Sequence, residues 1–181
     1  FLENQGTFSF GGSSGRRGDT PVLFYSRRIG LNQGREVPIV AGGRLTGRVG
    51  RFSLGLINIQ TDDEPVGGAL STNFMVARLK RDLLRRSSVG VIMTHRSVLA
   101  DGSGDGQTFG ADATFAFFEN LTLGAYWART RTPGRDGQDT SYNATLRYDG
   151  DRYGATLGHL FVAPQFAPAV GFVRRDDFRK S

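Results

Sequence analysis

Gln107 to Thr132 reads QTFGADATFAFFENLTLGAYWARTRT, and after a short Pro/Gly loop Asp139 to Phe161 reads DTSYNATLRYDGDRYGATLGHLF. Every second residue is apolar or aromatic: Phe109, Ala111, Ala113, Phe115, Phe117, then Leu121, Leu123, Ala125, Trp127, then Tyr142, Ala144, Leu146, Tyr148, then Tyr153, Ala155, Leu157. Asp112, Thr114, Thr122, Asn143, Thr145, Arg147 and Thr156 lie between them. A period of two over segments of about ten residues describes long β-strands with one apolar and one polar face. The joints at Glu119-Asn120 and Asp149-Gly150-Asp151 have the Asn, Asp and Gly that tight hairpin turns require. The stretch is an antiparallel meander, and its apolar face needs a partner.

The same reading extends toward the N-terminus. Pro38 to Val49 is a glycine-rich strand turning at Gly50 into Phe52 to Gln60. Asn73 to Leu83 turns at Leu84-Arg85-Arg86 into Ser87 to Ser97. Residues 1–37 form a lead-in segment and first extended stretch, 38–162 the hairpin meander, and 163–181 the start of a further strand or a tail. Within the lead-in, residues 1–20 read as irregular and 31–37 as a polar loop. Val76 to Arg86 has a helix-favouring composition, but its flanks suit a hairpin better. In Phe52 to Gln60 the apolar phase switches between Leu56 and Ile57, which calls for a bulge or a contact with an interior plug.

Short turns near Gly50, Arg85, Asn120 and Gly150 alternate with long loops near Glu64, Gly102 and Gly134. In an up-and-down meander this puts short turns at one end and long loops at the other, the asymmetry of outer-membrane barrels. Three further features favour lipid over water as the apolar face's partner. The strands run to about ten residues, against five or six in soluble sheets. Phe52, Phe74, Phe109, Phe117, Phe118, Trp127, Tyr142, Tyr148 and Tyr153 fall toward strand ends, as interfacial girdles do. The positions between them are mostly Ala, Val and Leu, too small to fill a soluble core. The expected fold is therefore all-β: an antiparallel up-and-down meander of about eight or more strands forming a transmembrane β-barrel, as part of a larger one.

Composition narrows the function classes. The 181 residues include 26 Gly, 14 Phe and no Cys, so disulfide scaffolds and thiolate metal sites drop out. The formal charge of +6 is nearly all arginine, because Lys80 and Lys180 are the only lysines. These arginines look dispersed along the chain, which argues against nucleic acid as a partner. No run reaches the length of a membrane-crossing helix, and closed barrels cross with strands instead. The chain opens at Phe1-Leu2-Glu3 with no basic-then-apolar leader, so the expectation is a processed or excised piece.

Candidate chemistry is sparse. His95 and His159 stand on distant strands with no carboxylate at ligand spacing, so no metal is implied. Asp62-Asp63-Glu64 lacks the alternation of a calcium loop, and the glycines at 102–106 lack the strand-to-helix context of a phosphate loop. Ser87-Ser88 is a weak nucleophile candidate. No cofactor is implied and no catalytic residue is assigned. The arginines in strands or leading into them, Arg27, Arg28, Arg44, Arg78, Arg147, Arg174 and Arg175, remain as binding candidates. Facing lipid at mid-depth an arginine costs roughly 2–4 kcal/mol, so these should face the lumen or reach an interface. There they either pair with Asp112 or other acids of a plug, or line a passage for anionic or sugar-like solutes. Phe109, Phe117, Trp127, Tyr142, Tyr148 and Tyr153 are the candidate interfacial aromatics.

PVLFYSRRIG (21–30), GGRLTGRVGRFSLGLINIQT (42–61), NFMVARLKRDLLRRSSVGVIMTHRS (73–97) and VGFVRRDDFR (170–179) in series resemble an uncharacterised family of bacterial outer-membrane β-barrel proteins. The opening FLEN and FSF also resemble that family's segment leading into the barrel. The resemblance implies an outer-membrane location, membrane lipid as a partner, and a periplasmic domain similar to family-9 carbohydrate-binding modules in the parent chain. It supplies no catalytic residues. The chain departs from a full-length member in two ways: that upstream domain is absent, and DDFRKS lacks a terminal strand ending in an aromatic residue. Non-enzymatic passage or uptake of small polar, anionic or sugar-like solutes, or surface display, is the expected task. A soluble β-sandwich or barrel binding module is one alternative, and a barrel-type outer-membrane hydrolase linked to carbohydrate breakdown is another.

Overall fold

The computed structural model describes residues 5–11, 19–32, 34–66, 68–99, 102, 104–134, 137–175 and 177–181. After a one-turn helix α1 (Gln5–Phe8) and a 3-10 turn (Ser26–Arg28), strands β1 (Leu31–Asn32) and β2 (Arg35–Glu36) make a minimal hairpin. The main sheet contains β3 (Ile39–Val49), β4 (Phe52–Thr61), β5 (Thr72–Leu84), β6 (Ser87–Arg96), β7 (Gly106–Phe117), β8 (Leu121–Arg131), β9 (Thr140–Asp149), β10 (Gly154–Val162) and β11 (Phe178–Lys180). Its nine strands follow sequence order, each antiparallel to the next. The sheet is not closed: among the described residues, β3 and β11 are its two edges.

The fold is thus all-β, and the strand lengths follow from the period-two pattern. Val76 to Leu84 continues as strand, with a register shift between Asp82 and Leu84 next to the turn. Two expectations for the lead-in need correction. Residues 31–37 include the β1–β2 hairpin, because Gly34 has φ +82°, which suits the tight reversal. The irregular reading of 1–20 misses α1, and its residues 1–4 and 12–18 lie outside the described ones.

Alternation gives the sheet two unlike faces. One is covered by the chain's own termini. Phe8, Phe10 and Leu23 pack there with Ala163, Phe166, Ala169 and Val170 against Phe74, Val76, Ile92, Tyr126, Ala128, Leu160 and Val162. Val22 bridges Phe172 in both directions, N–H to carbonyl at 3.0 and 2.8 Å, and Tyr25 N–H donates to the Val170 carbonyl at 3.0 Å. The apolar phase switch in β4 comes from this arrangement. Ile57 and Ile59 point to the covered face and pack against that cluster, whereas the only irregularity between β3 and β4 lies at Ile39/Ala41. Phe74 is also on the covered face, 4% exposed, and so is not a girdle residue.

The other face is open, and it carries the alternation first seen in 107–161. Register aligns Leu45, Leu56, Ala77 and Met93 across β3 to β6, and Ala113, Ala125 and Ala144 across β7 to β9. Leu45, Leu54, Met75, Leu79, Val91, Met93, Phe109, Trp127, Leu146 and Leu157 are all exposed on it. Toward the long loops the same face turns polar. Asn58, Gln60 and Asn73 exchange side-chain amide hydrogen bonds of 3.0 to 3.3 Å, and His95, Gln107 and Arg131 continue the row in register.

Candidate functional site

The covered face is where charge, burial and the terminal segments meet. Arg78 of β5, opposite Ile92 in register, reaches diagonally across β6 over Gly90 to Asp112 of β7, which pairs with that glycine. The guanidinium lies over this glycine, with Nη1 and Nη2 2.7 and 2.8 Å from where a Cβ would stand. Any side chain at position 90 would displace it. Arg78 is 2% exposed and donates from Nη1 to Asp112 Oδ1 at 2.6 Å and from Nη2 to Oδ2 at 3.0 Å. The backbone N–H of Gly11 also donates to Asp112 Oδ2, at 3.3 Å. The fork geometry explains why arginine serves here: two parallel bonds hold a carboxylate in a dry site.

The N-terminal segment is seated by two more glycines. Phe8 fits over Gly55, and Phe10 over Gly110, each so close that a Cβ would lie within 2.7 and 2.6 Å of the ring. Phe10 also packs against Tyr126, with centroids 5.4 Å apart, and lies beside the Arg78 guanidinium at 5.7 Å. Arg44 stands over the Phe8 ring at 5.8 Å. Below this layer Tyr126 Oη contacts Ser141 Oγ at 3.0 Å, and Ser141 donates to the Phe161 carbonyl at 3.0 Å. Closer to the short turns the covered face is polar and partly exposed, with Thr114, Thr122, Thr145 and Arg147.

The seven candidate arginines do not converge on one site. Arg44, Arg78 and Arg147 share the covered face, of which Arg44 and Arg78 flank the phenylalanine pair and Arg147 stands away on β9. Arg27 and Arg28 are exposed in the 3-10 turn, outside any strand. Arg174 and Arg175 are exposed in an irregular stretch, Arg175 lying 5.6 Å from the Phe178 ring. The Val22–Phe172 pairing is antiparallel, so it sends these two arginine pairs in opposite directions.

The aromatic candidates form two exposed groups. Phe109 and Trp127 lie 6.3 Å apart with Tyr142 next in register, toward the long loops. Phe117, Tyr148 and Tyr153 lie at the short turns, with Leu121 between the first two. Phe117 follows Phe109 by eight positions, roughly 27 Å along an extended strand.

The remaining polar candidates have structural duties. Ser87 Oγ accepts from the Ala116 N–H at 3.1 Å. Asp62 and Glu64 accept backbone N–H groups of Asp63 and Val66, and Asp63 accepts that of Ser71. His95 Nε2 lies 3.5 Å from Asp105, whose carboxyl is held below its usual range chiefly by the Gln107 side-chain amide. His159 Nδ1 contacts Ser181 Oγ at 2.9 Å in a cleft also lined by Asp19, but Asp19 bonds Lys180 instead. Among the described residues no group of three His, Cys, Asp or Glu is arranged to hold a metal.

What the linear sequence hid is the gathering of arginines at two neighbouring hairpins. Pairing of β4 with β5 brings Arg48 and Arg51 beside Arg81, Arg85 and Arg86, although about thirty residues separate the two turns. The alternating turn lengths were the available signal, since they already place both turns at one end.

No protein-family model, curated protein or solved structure matches the chain.

Proposed function

We propose that this chain is a non-enzymatic segment of a bacterial outer-membrane β-barrel, its open face turned to lipid. The observation that carries this reading is the continuous exposed apolar face of β3 to β10, with aromatic groups toward both ends and a polar row at the long-loop end. A water-soluble sheet would have to bury that face, whereas a barrel's apolar band of about 25 Å between aromatic girdles has these dimensions. Lipid also makes an unpaired sheet edge untenable, so the β3 edge and the β10–β11 edge must each be paired, with one another or with further strands. The resemblance to outer-membrane barrels with an upstream carbohydrate-binding domain agrees with this location.

Within the barrel, Arg78 is a structural residue and Arg147 is the better candidate for contact with an anionic or sugar-like solute, because it faces the uncovered polar part. Passage of such a solute requires the Phe8/Phe10 layer to move, so surface display or a closed wall accounts for the resting arrangement. The decisive experiment is reconstitution. The chain should need detergent or lipid to stay dispersed, and should fold into phosphatidylcholine vesicles with heat-modifiable mobility. A stable monomer in plain buffer sinks the membrane reading and favours the soluble binding module. The hydrolase alternative needs a serine, a histidine and an acid bonded in series; His159 and Ser181 share a cleft with Asp19, but Asp19 bonds Lys180 rather than the imidazole.

A further inference from the structure

The short-turn end carries a patch whose chemistry goes beyond a generic barrel wall. Residues 48–52 and 80–86 together hold six cations against one carboxylate, Asp82; register puts Arg48 and Lys80 on the covered face with Ser53, Arg81 on the open face beside Phe52, and Arg51, Arg85 and Arg86 at the turns, so the last four form the patch. The two hairpins are locked side by side by the Asp82 N–H donating to the Arg51 carbonyl at 2.8 Å. Among the described residues, Arg48 is the one of these cations paired with a carboxylate, Asp82 at 2.8 Å. Arg51 and Arg86 are steadied by backbone carbonyls, Leu83 at 3.2 Å and Glu119 at 3.4 Å, which orient a guanidinium without cancelling its charge. Arg81 lies over the Phe52 ring at 5.1 Å. Apolar side chains are interleaved with these cations: Val49 is 81% exposed, Leu84 66% and Phe52 42%. The other short turns are mixed, with Glu119, Asp149 and Asp151 beside Arg147 and Arg152.

Exposed cations set among exposed apolar groups match a bilayer interface: the apolar groups enter the acyl boundary and the guanidiniums meet lipid phosphates. We infer that this two-hairpin patch binds the headgroups of anionic phospholipids in the leaflet at the short-turn end, and so fixes the depth and orientation of the wall. The inference rests on the barrel reading. Nucleic acid is the rival polyanion, but it offers nothing for Val49 and Leu84 to enter.

The test is reconstitution into vesicles of phosphatidylcholine alone and of an equimolar mixture with phosphatidylglycerol, following thermal unfolding. The wild-type midpoint should rise with phosphatidylglycerol, and the rise should shrink as salt screens the contacts. The variant R51Q/R81Q/R85Q/R86Q should lose the rise, whereas R51K/R81K/R85K/R86K should keep most of it. That separates charge from misfolding. Insertion into phosphatidylcholine with no phosphatidylglycerol effect, or an effect the Gln variant retains or the Lys variant loses, overturns the inference and leaves the barrel reading standing. Failure to insert into either vesicle overturns both. A single-stranded oligonucleotide that competes the protein off anionic vesicles overturns the choice of lipid.

Discussion

Arg78 and Asp112 sit on strands that are not neighbours, and their two parallel hydrogen bonds of 2.6 and 3.0 Å span the intervening strand through the space left by Gly90. Removing one partner strands a charge with 1% side-chain exposure on the arginine side. Asp112→Asn or Arg78→Met should therefore destabilise the fold by about 3 kcal/mol or more, measured by denaturant unfolding in detergent. The double replacement by apolar residues should recover part of that loss. If single and double variants lose equally, the pair is not acting as a unit.

The phenylalanine seats give a second prediction. Phe8→Ala and Phe10→Ala should each cost about 3–5 kcal/mol, since both rings are buried. Gly110→Val should eject Phe10 without touching the N-terminal segment itself, so that limited proteolysis cuts near residues 6–11 while the strands stay protected. Unchanged protection would mean that the segment is held elsewhere.

Opposite faces of β8 should answer oppositely to charge. Ala125 lies on the open face in register with Ala113 and Ala144, and Ala125→Arg should cost about 2–4 kcal/mol in a bilayer. Its neighbour Gly124 faces the other way with open space around the missing Cβ, so Gly124→Arg should be nearly neutral. Folding yields in vesicles compare the two directly. Equal tolerance at both positions counts against lipid on the open face.

Trp127 is the only tryptophan and stands on the open face near the polar row, 43% exposed. In vesicles its emission should shift to the blue and be quenched by lipids brominated on the acyl chain near the headgroup. A soluble sheet would leave it unquenched.

Much of this architecture was readable from alternation. In 107–161 each strand pairs at the turns expected from Glu119-Asn120 and Asp149-Gly150-Asp151, because period-two patterning and turn residues act locally. What could not be read were contacts made by parts of the chain lacking a period. Nothing local in FSF announces that Phe8 and Phe10 will occupy glycines some 50 and 100 residues further on. For the same reason Ile57 looked out of phase and Phe74 looked like a girdle residue: both answer to the terminal segments rather than to the pattern of their own strands. Asp112 was recognisable as a polar residue on the strand face opposite the aromatics, and so as a partner for an arginine. Register alone leads from Asp112 through Gly90 to Lys80, and only the side-chain bonds show that Arg78, leaning over Gly90, is that arginine.

The bond from Gly11 N–H to Asp112 joins residues 101 apart, and the Val22–Phe172 bridge joins segments on either side of the whole meander. Neither end can settle until the hairpins between them exist, and those hairpins in turn lack half their packing until the ends arrive. Such dependence on distant contacts slows folding. Until Phe8 and Phe10 are seated, both rings and the spaces over Gly55 and Gly110 are uncovered.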